Sequence, residues 1–251
     1  MRASLLFNPL DVVERLAVAS MRWRRRRRLR GTPAAGLSLG HIDSLELLEM
    51  LREKPPRVIH DIGANVGTWT CLAKSLYPDA AVEAFEPVPE HEAGFRRWTA
   101  MWTDVRLHPV ALGPRDGSVA LEVTDFADAS SVLPLTKEGR KTFNIAPAGR
   151  REVPMATLDG LVAGGTVRAP DLIKLDIQGY ELEALRGADR SLQAARAVIS
   201  EVSFRSFYKG QSLFPEVLAH LAERGFCLHA FGSSLQPGKP LIQVDALFLK
   251  P

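Results

Sequence analysis

Cysteine is almost missing from this chain. Cys71 and Cys227 are the only two among 251 residues, and they stand in no metal-binding or redox spacing. This excludes a disulfide framework and a zinc site, and it suits a reducing cytoplasm. Long apolar runs are missing too, since none approaches the roughly 20 residues that cross a bilayer. The segment LLFNPLDVVERLAVA is interrupted by Asp11 and Glu14, and its arginines follow it, which reverses the order of a secretory signal. There is no internal repeat and no P-loop signature.

Basic charge is concentrated in one place. RWRRRRRLR, residues 22–30, holds seven arginines, and the rest of residues 1–30 balances, Arg2 and Arg15 against Asp11 and Glu14. The whole chain carries +3, so residues 31–251 carry −4. The alkaline character therefore belongs to a short arm. Such an arm can touch phosphates or an anionic membrane surface, or it can be a solvated helix end or disordered leader. GTPAAGLSLG, residues 31–40, reads as a linker. The expected division is a basic arm and linker over 1–40 and one folded domain over 41–251.

The domain opens with a helical pattern, Ile42, Leu45, Leu48 and Leu51, stopped by Pro55-Pro56. Short β-rich runs follow at 58–62, 81–85, 105–112, 172–176 and 197–202. Between several of them lie helical stripes, such as Trp69, Leu72, Ala73 and Leu76, or Phe214, Val217, Leu218 and Leu221. This alternation predicts an α/β fold, a parallel sheet with helices on both faces. Residues 117–124, GSVALEVT, alternate with period two and read as an extra strand; LIQVDALFLKP reads as the final strand. Residues 125–156 have weak periodicity and read as a long excursion, expected to form much of a substrate pocket.

VIHDIGANVGTWT, residues 58–70, is a strand, a glycine loop and a helix start, the first unit of a nucleotide-binding sheet. A dinucleotide fold needs G-x-G-x-x-G. Here Gly63 is present, but Asn65 takes the second glycine position and crowds a diphosphate. Asp61 closes the first strand and Glu86 the second, 19 residues after Gly67, close to the usual spacing for a ribose-binding acid. Two acids and no basic residue at these strand ends favour a ligand with a ribose, a positive charge and no phosphate. S-adenosylmethionine has those features. The alternative is that Asp61 and the glycines only shape a tight turn.

These residues resemble a known family. DIGANVGTWT, AFEPVPE, PVALGPRDGSV, LIKLDIQGYELEALRGA and VISEVSF occur in the order seen in FkbM-type methyltransferases, and the resemblance covers about residues 41–251. It implies a class I, Rossmann-like methyltransferase: a doubly wound, mostly parallel seven-stranded sheet with helices on both faces and the last strand antiparallel. It further implies O-methylation of a hydroxyl on a small molecule or saccharide. Asp61, Gly63, Ala64, Asn65 and Gly67 are then expected around the methionyl part of S-adenosylmethionine, Glu86 and Pro87 at the ribose, and Val110 and Ala111 beside the adenine. Ser130 and Ser131 resemble a serine pair of the substrate-facing loop. Gln178 and Tyr180 depart from the pattern, which commonly has an acid and a small residue there.

Ligands of a doubly wound sheet sit where the strand order reverses, here between the first and fourth strands. KLDIQGYE then presents Asp176, Gln178 and Glu181 toward the transferred methyl, with Gln178 on the substrate side. Asp176 is the first candidate for general base, against a helix-capping or cofactor-orienting role; Glu181 and Glu201 are further candidates. Their spacing demands no metal. His60 reads as a core residue, and Trp98 and Trp102 as packing. A nucleic-acid methyltransferase is suggested only by the arginine arm, since DIQGYE replaces the Asn/Asp-Pro-Pro-aromatic run and the body lacks a broad basic face. A non-catalytic methyltransferase-like binding module docked by its arm is the other alternative. Oligomeric state is not legible.

Overall fold

The computed structural model describes residues 9–124, 130–144, 146–232 and 240–251. Its strands are β1 (Val58–Ile62), β2 (Ala81–Phe85), β3 (Val105–His108), β4 (Ala111–Leu112), β5 (Gly117–Thr124), β6 (Pro147–Ala156), β7 (Leu172–Leu175), β8 (Ala197–Ser203), β9 (Cys227–Phe231) and β10 (Gln243–Leu249). Helices are α1 (Pro9–Arg28), α2 (Leu45–Glu49), α3 (Thr68–Leu76), α4 (Glu92–Thr99), α5 (Lys137–Phe143), α6 (Leu158–Ala163), α7 (Glu181–Arg186), α8 (Asp189–Ala194) and α9 (Phe214–Ala222).

Seven strands form one sheet in the order β3-β2-β1-β7-β8-β10-β9. All pairings are parallel except those of β10, which runs antiparallel to β8 and β9. The order reverses between β1 and β7, and a crevice opens there beyond the strand ends. Side-chain alternation splits each inner strand between two cores. Ile59, Leu172 and Ile199 face a layer with Leu72 of α3 and Leu45 of α2, whereas Ile62, Ile173 and Val198 face a layer with Leu185, Leu192 and Leu221 of α7, α8 and α9. His60 is fully buried in β1, its Nε2–H donating to the Arg168 carbonyl at 2.8 Å.

Three elements differ from expectation. The run 105–112 is two strands, because Pro109 fixes its φ and has no N–H for a ladder. β3 joins the main sheet and β4 joins a second sheet of order β4-β6-β5. The excursion 125–156 contains β6, a ten-residue strand antiparallel to β5. β9, on the far edge, was not singled out: four of its five residues are exposed, which leaves no apolar alternation to read.

Residues 31–40 are packed rather than loose. Leu29, Ala34 and Leu37 are buried in the same core as Leu45 and Leu72. Arg25 is fully buried at the end of α1, its Nη2 at 2.7 Å from Glu46 and its Nη1 at 3.4 Å from Asp43. Packing against the domain therefore begins at Arg25, well before the break read at residue 40. Among the described residues, no helix is long and apolar enough to cross a membrane.

Candidate functional site

Two clefts meet at the sheet's reversal point. An apolar one lies over β2 and β4 and is walled by Phe85, Val88, Val110, Ala111, Leu121 and Tyr180. A polar one lies over β7, β8 and β10 and is bordered by Asp43, Ser44, Trp69, Lys174, Glu201 and Asp245. Gly63, Asn65, Asp176 and Gln178 line both.

The junction is made by a close backbone approach. Asp176 N–H donates to the Ile62 carbonyl at 3.0 Å, and a Cβ built on Gly63 would lie 2.0 Å from the Asp176 carbonyl oxygen. Gly63 also has φ +81, so only glycine fits without strain. Asn65 follows in the left-handed region at φ 47, which asparagine tolerates. Its N–H donates to Glu86 Oε2 at 2.9 Å, and Val88 N–H donates to Glu86 Oε1 at 2.8 Å. Glu86 is thereby clamped, almost buried, in the wall of the apolar cleft. Pro87 lines the same wall, Ala64 lines the polar cleft, and Gly67 lines neither, capping α3 against Phe95. Among the described residues lining the apolar cleft there is no lysine or arginine.

Asp61 is not in the crevice. It is fully buried, borders neither cleft, and accepts from Thr70 Oγ1 at 2.5 Å. The reason is Lys174, its register partner on β7. Lys174 Nζ lies 3.5 Å from Asp61 Oδ1 and 3.6 Å from Asp176 Oδ2, so the two acids are bridged by a cation that the sequence reading passed over. Period-two alternation in IKLD would have found it, since Lys174 and Asp176 share a face. Burial alone would lower the Lys174 pKa, but Asp176, Asp61, Asp245 and Glu201 together hold it above the ordinary lysine value.

Gln178 ties the junction together. Its backbone has φ 56, an outlier for a long side chain. The side chain is fixed on three sides. Tyr208 O–H donates to Oε1 at 2.9 Å, and Nε2–H donates to Asp176 Oδ1 at 2.9 Å and Glu201 Oε2 at 3.2 Å. Burial pushes the Glu201 carboxyl well above its usual range, and Asp176, Glu181 and Asp245 push it the same way. Asp245, also raised mainly by burial, accepts from Ser44 O–H, while Trp69 Nε1–H donates to Ser44 Oγ at 3.0 Å.

Two other candidates do different work from that expected. Glu181 borders neither cleft; its Oε1 accepts the Ile177 and Gly179 N–H groups, both at 3.0 Å, and braces the turn after β7. Ser131 is buried, and its hydroxyl donates to the Gln178 carbonyl at 2.8 Å, so it holds the junction rather than reaching outward. Ser130 lines the apolar cleft. The described part of 125–156 contributes only Ser130, Ser131 and Val132 there, and nothing to the polar cleft, whose outer rim comes from Arg22, residues 39–41, Asp43 and Ser44. Residues 125–129 lie outside the described residues. Among the described residues no cluster of three or more His, Cys, Asp or Glu could hold a metal ion.

The methyltransferase FkbM domain family matches residues 61–228, which takes in both clefts' central residues. The chain belongs to the FkbM methyltransferase family. Its fold is that of the class I methyltransferases. The hexuronic acid methyltransferase AglP of Haloferax volcanii is 31% identical over 150 residues, 58% of this chain and 55% of that protein; the chain spans little more than half of that relative. The 2-O-methyltransferase NoeI of Sinorhizobium fredii is 29% identical over 168 residues, 64% and 69% of the two chains. Among solved structures, the N-methyltransferase NodS from Bradyrhizobium japonicum shares the fold at TM-score 0.50 and 12% identity, over 84% of this chain and 94% of that one.

Proposed function

We propose that this FkbM-family methyltransferase methylates a hydroxyl of a saccharide or other polyhydroxylated small molecule, with adenosine in the apolar cleft and the acceptor in the polar one. The observation that carries this reading is the pairing of the two clefts across Gly63, Asn65, Asp176 and Gln178. The apolar side offers Val110 and Ala111 for an adenine face and the clamped Glu86 for a ribose diol, and it offers a phosphate no lysine or arginine. The polar side offers Asp176, Glu201, Asp245, Gln178 and Gln243, carboxylates and amides that accept from and donate to sugar hydroxyls. The two relatives, a hexuronic acid methyltransferase and a 2-O-methyltransferase, agree with a saccharide.

The cofactor supplies a methyl carbon on a sulfonium, which the acceptor oxygen attacks in line as the thioether leaves. The chain's contribution is alignment, worth about 7–11 kcal/mol in well-oriented reactions, and removal of the hydroxyl proton, worth about 10²–10⁴ in rate. Asp176 is assigned the second task. It is the carboxylate shared by both clefts, and its side chain is 36% exposed whereas Asp61 is sealed off. Gln178 and Lys174 hold it in position. Glu201 borders the polar cleft beside Asp176, and its Oε2 accepts from Gln178 Nε2–H and Gln243 Nε2–H. A reducing cytoplasmic location completes the reading.

Calorimetric titration with S-adenosylhomocysteine tests the cofactor half. Wild-type protein should bind, and Glu86→Gln, which loses one charged acceptor at the ribose, should bind about 10–100-fold more weakly. Equal affinity of the two would remove Glu86 from the site.

A further inference from the structure

Helix α1 carries a feature that the clefts do not use. At 3.6 residues per turn, Leu16, Ser20, Trp23 and Arg27 fall in one stripe about 60° wide. Arg25 and Leu29 lie on the opposite side, and these are the two that are buried against the domain. Two apolar side chains on this stripe are open to solvent: Leu16 is 65% exposed and Trp23 60%. Arg24 and Arg26 flank it on either side, both exposed, and the Arg27 guanidinium sits 5.2 Å from the Trp23 ring centroid. Arg28 is engaged inward, 2.9 Å from Glu49. Arg22, one position before Trp23, reaches the rim of the polar cleft.

We propose that this outer face of α1 is an interfacial docking surface for an anionic lipid bilayer. Exposed apolar side chains bordered by arginines on one helix face are the arrangement of helices that lie in a membrane interface, with rings and aliphatic groups entering the acyl boundary and guanidinium groups at the headgroups. Cationic side chains near an anionic leaflet each add attraction that salt screens. Nucleic acid fits less well, because a phosphate backbone offers nothing to Leu16 and the body beyond the arm carries −4. The same helix is fixed to the domain through Arg25, Asp43 and Glu46, so docking it places the rim of the polar cleft beside the bilayer. The surface itself does not depend on the reading of the clefts; its bearing on the acceptor does.

Co-sedimentation of the full chain with vesicles tests the proposal, using phosphatidylcholine alone and phosphatidylcholine mixed with phosphatidylglycerol. Binding to the anionic vesicles alone is expected, weakened by salt and accompanied by a blue shift in tryptophan fluorescence. The triple variant Arg24→Gln, Arg26→Gln, Arg27→Gln should bind about 100-fold more weakly, and Trp23→Ser should abolish the blue shift. Both variants should titrate with S-adenosylhomocysteine as wild type does, which shows the clefts intact and separates failure of docking from failure of the cofactor reading. No preference for anionic vesicles, undiminished binding by the triple variant, or tighter binding to a DNA or RNA oligonucleotide at the same salt would each overturn the proposal.

Discussion

Glu181 carries its carboxyl into an enclosed turn, and burial raises its pKa to about 7 from 4.5 despite the backbone N–H groups that favour the anion. The folded chain therefore holds this proton more tightly than the unfolded chain. The stabilisation is complete below about pH 4.5 and is lost as pH rises through about 7. Glu181→Gln keeps an Oε1 that accepts both N–H groups and has no charge to bury. Urea denaturation at about pH 5 and pH 8 should show the wild type losing stability across that interval and the variant losing less, with methyl transfer retained. A variant as pH-sensitive as wild type would contradict the assignment, and loss of transfer with the fold intact would return Glu181 to the catalytic group. At this scale the sequence exposed the acids but not their partners. Asp61, Asp176, Glu181 and Glu201 were visible as acids in or shortly after β-rich runs; that Asp61 answers to Lys174 and Glu181 to its own turn depends on register and on φ angles that no spacing encodes.

The β1–α3 loop was the most legible element, because each of its peculiarities has a residue-level cause. Gly63 is the clearest case, having both a left-handed backbone and no room for a Cβ. Gly63→Ala should destabilise the fold by at least about 1 kcal/mol and, by pushing the β1 and β7 tips apart, abolish binding of S-adenosylhomocysteine. Gly149→Ala, where a Cβ meets nothing within 4 Å, should leave both unchanged. Urea midpoints and calorimetry on the pair decide it, and a stable, cofactor-binding Gly63→Ala would show that the close approach does not organise the junction. Elements without such punctuation were harder to read. β6 is disguised by Pro147, Gly149 and Pro154, and β9 by its exposure, because pattern reading detects the buried face of a strand and β9 has almost none.

Over the whole molecule, composition located the charge of the arm but not its attachment. One of the seven arginines is withdrawn from water into contact with Asp43 and Glu46, and Asp43 and Ser44 in turn border the polar cleft. Removing a buried partner strands the charges left behind, though both acids keep some solvent here, so the cost should be about 1–3 kcal/mol. Arg25→Ala should therefore release α1, and limited trypsin digestion should cleave within residues 22–30 faster than in wild type, while the sheet keeps its circular dichroism. Unchanged protection would mean that Leu29, Ala34 and Leu37 hold the arm without the ion pair.

Transfer of a labelled methyl group from S-adenosylmethionine to a panel of free and lipid-linked saccharides, by wild type and Asp176→Asn side by side, bears most directly on the division of labour between the clefts. Wild type should yield an alkali-stable ether, and the variant should lose about 10²–10⁴ in kcat while its affinity for S-adenosylhomocysteine stays within a few-fold. Transfer undiminished by the substitution, or product labelled at nitrogen or carbon, would contradict the account.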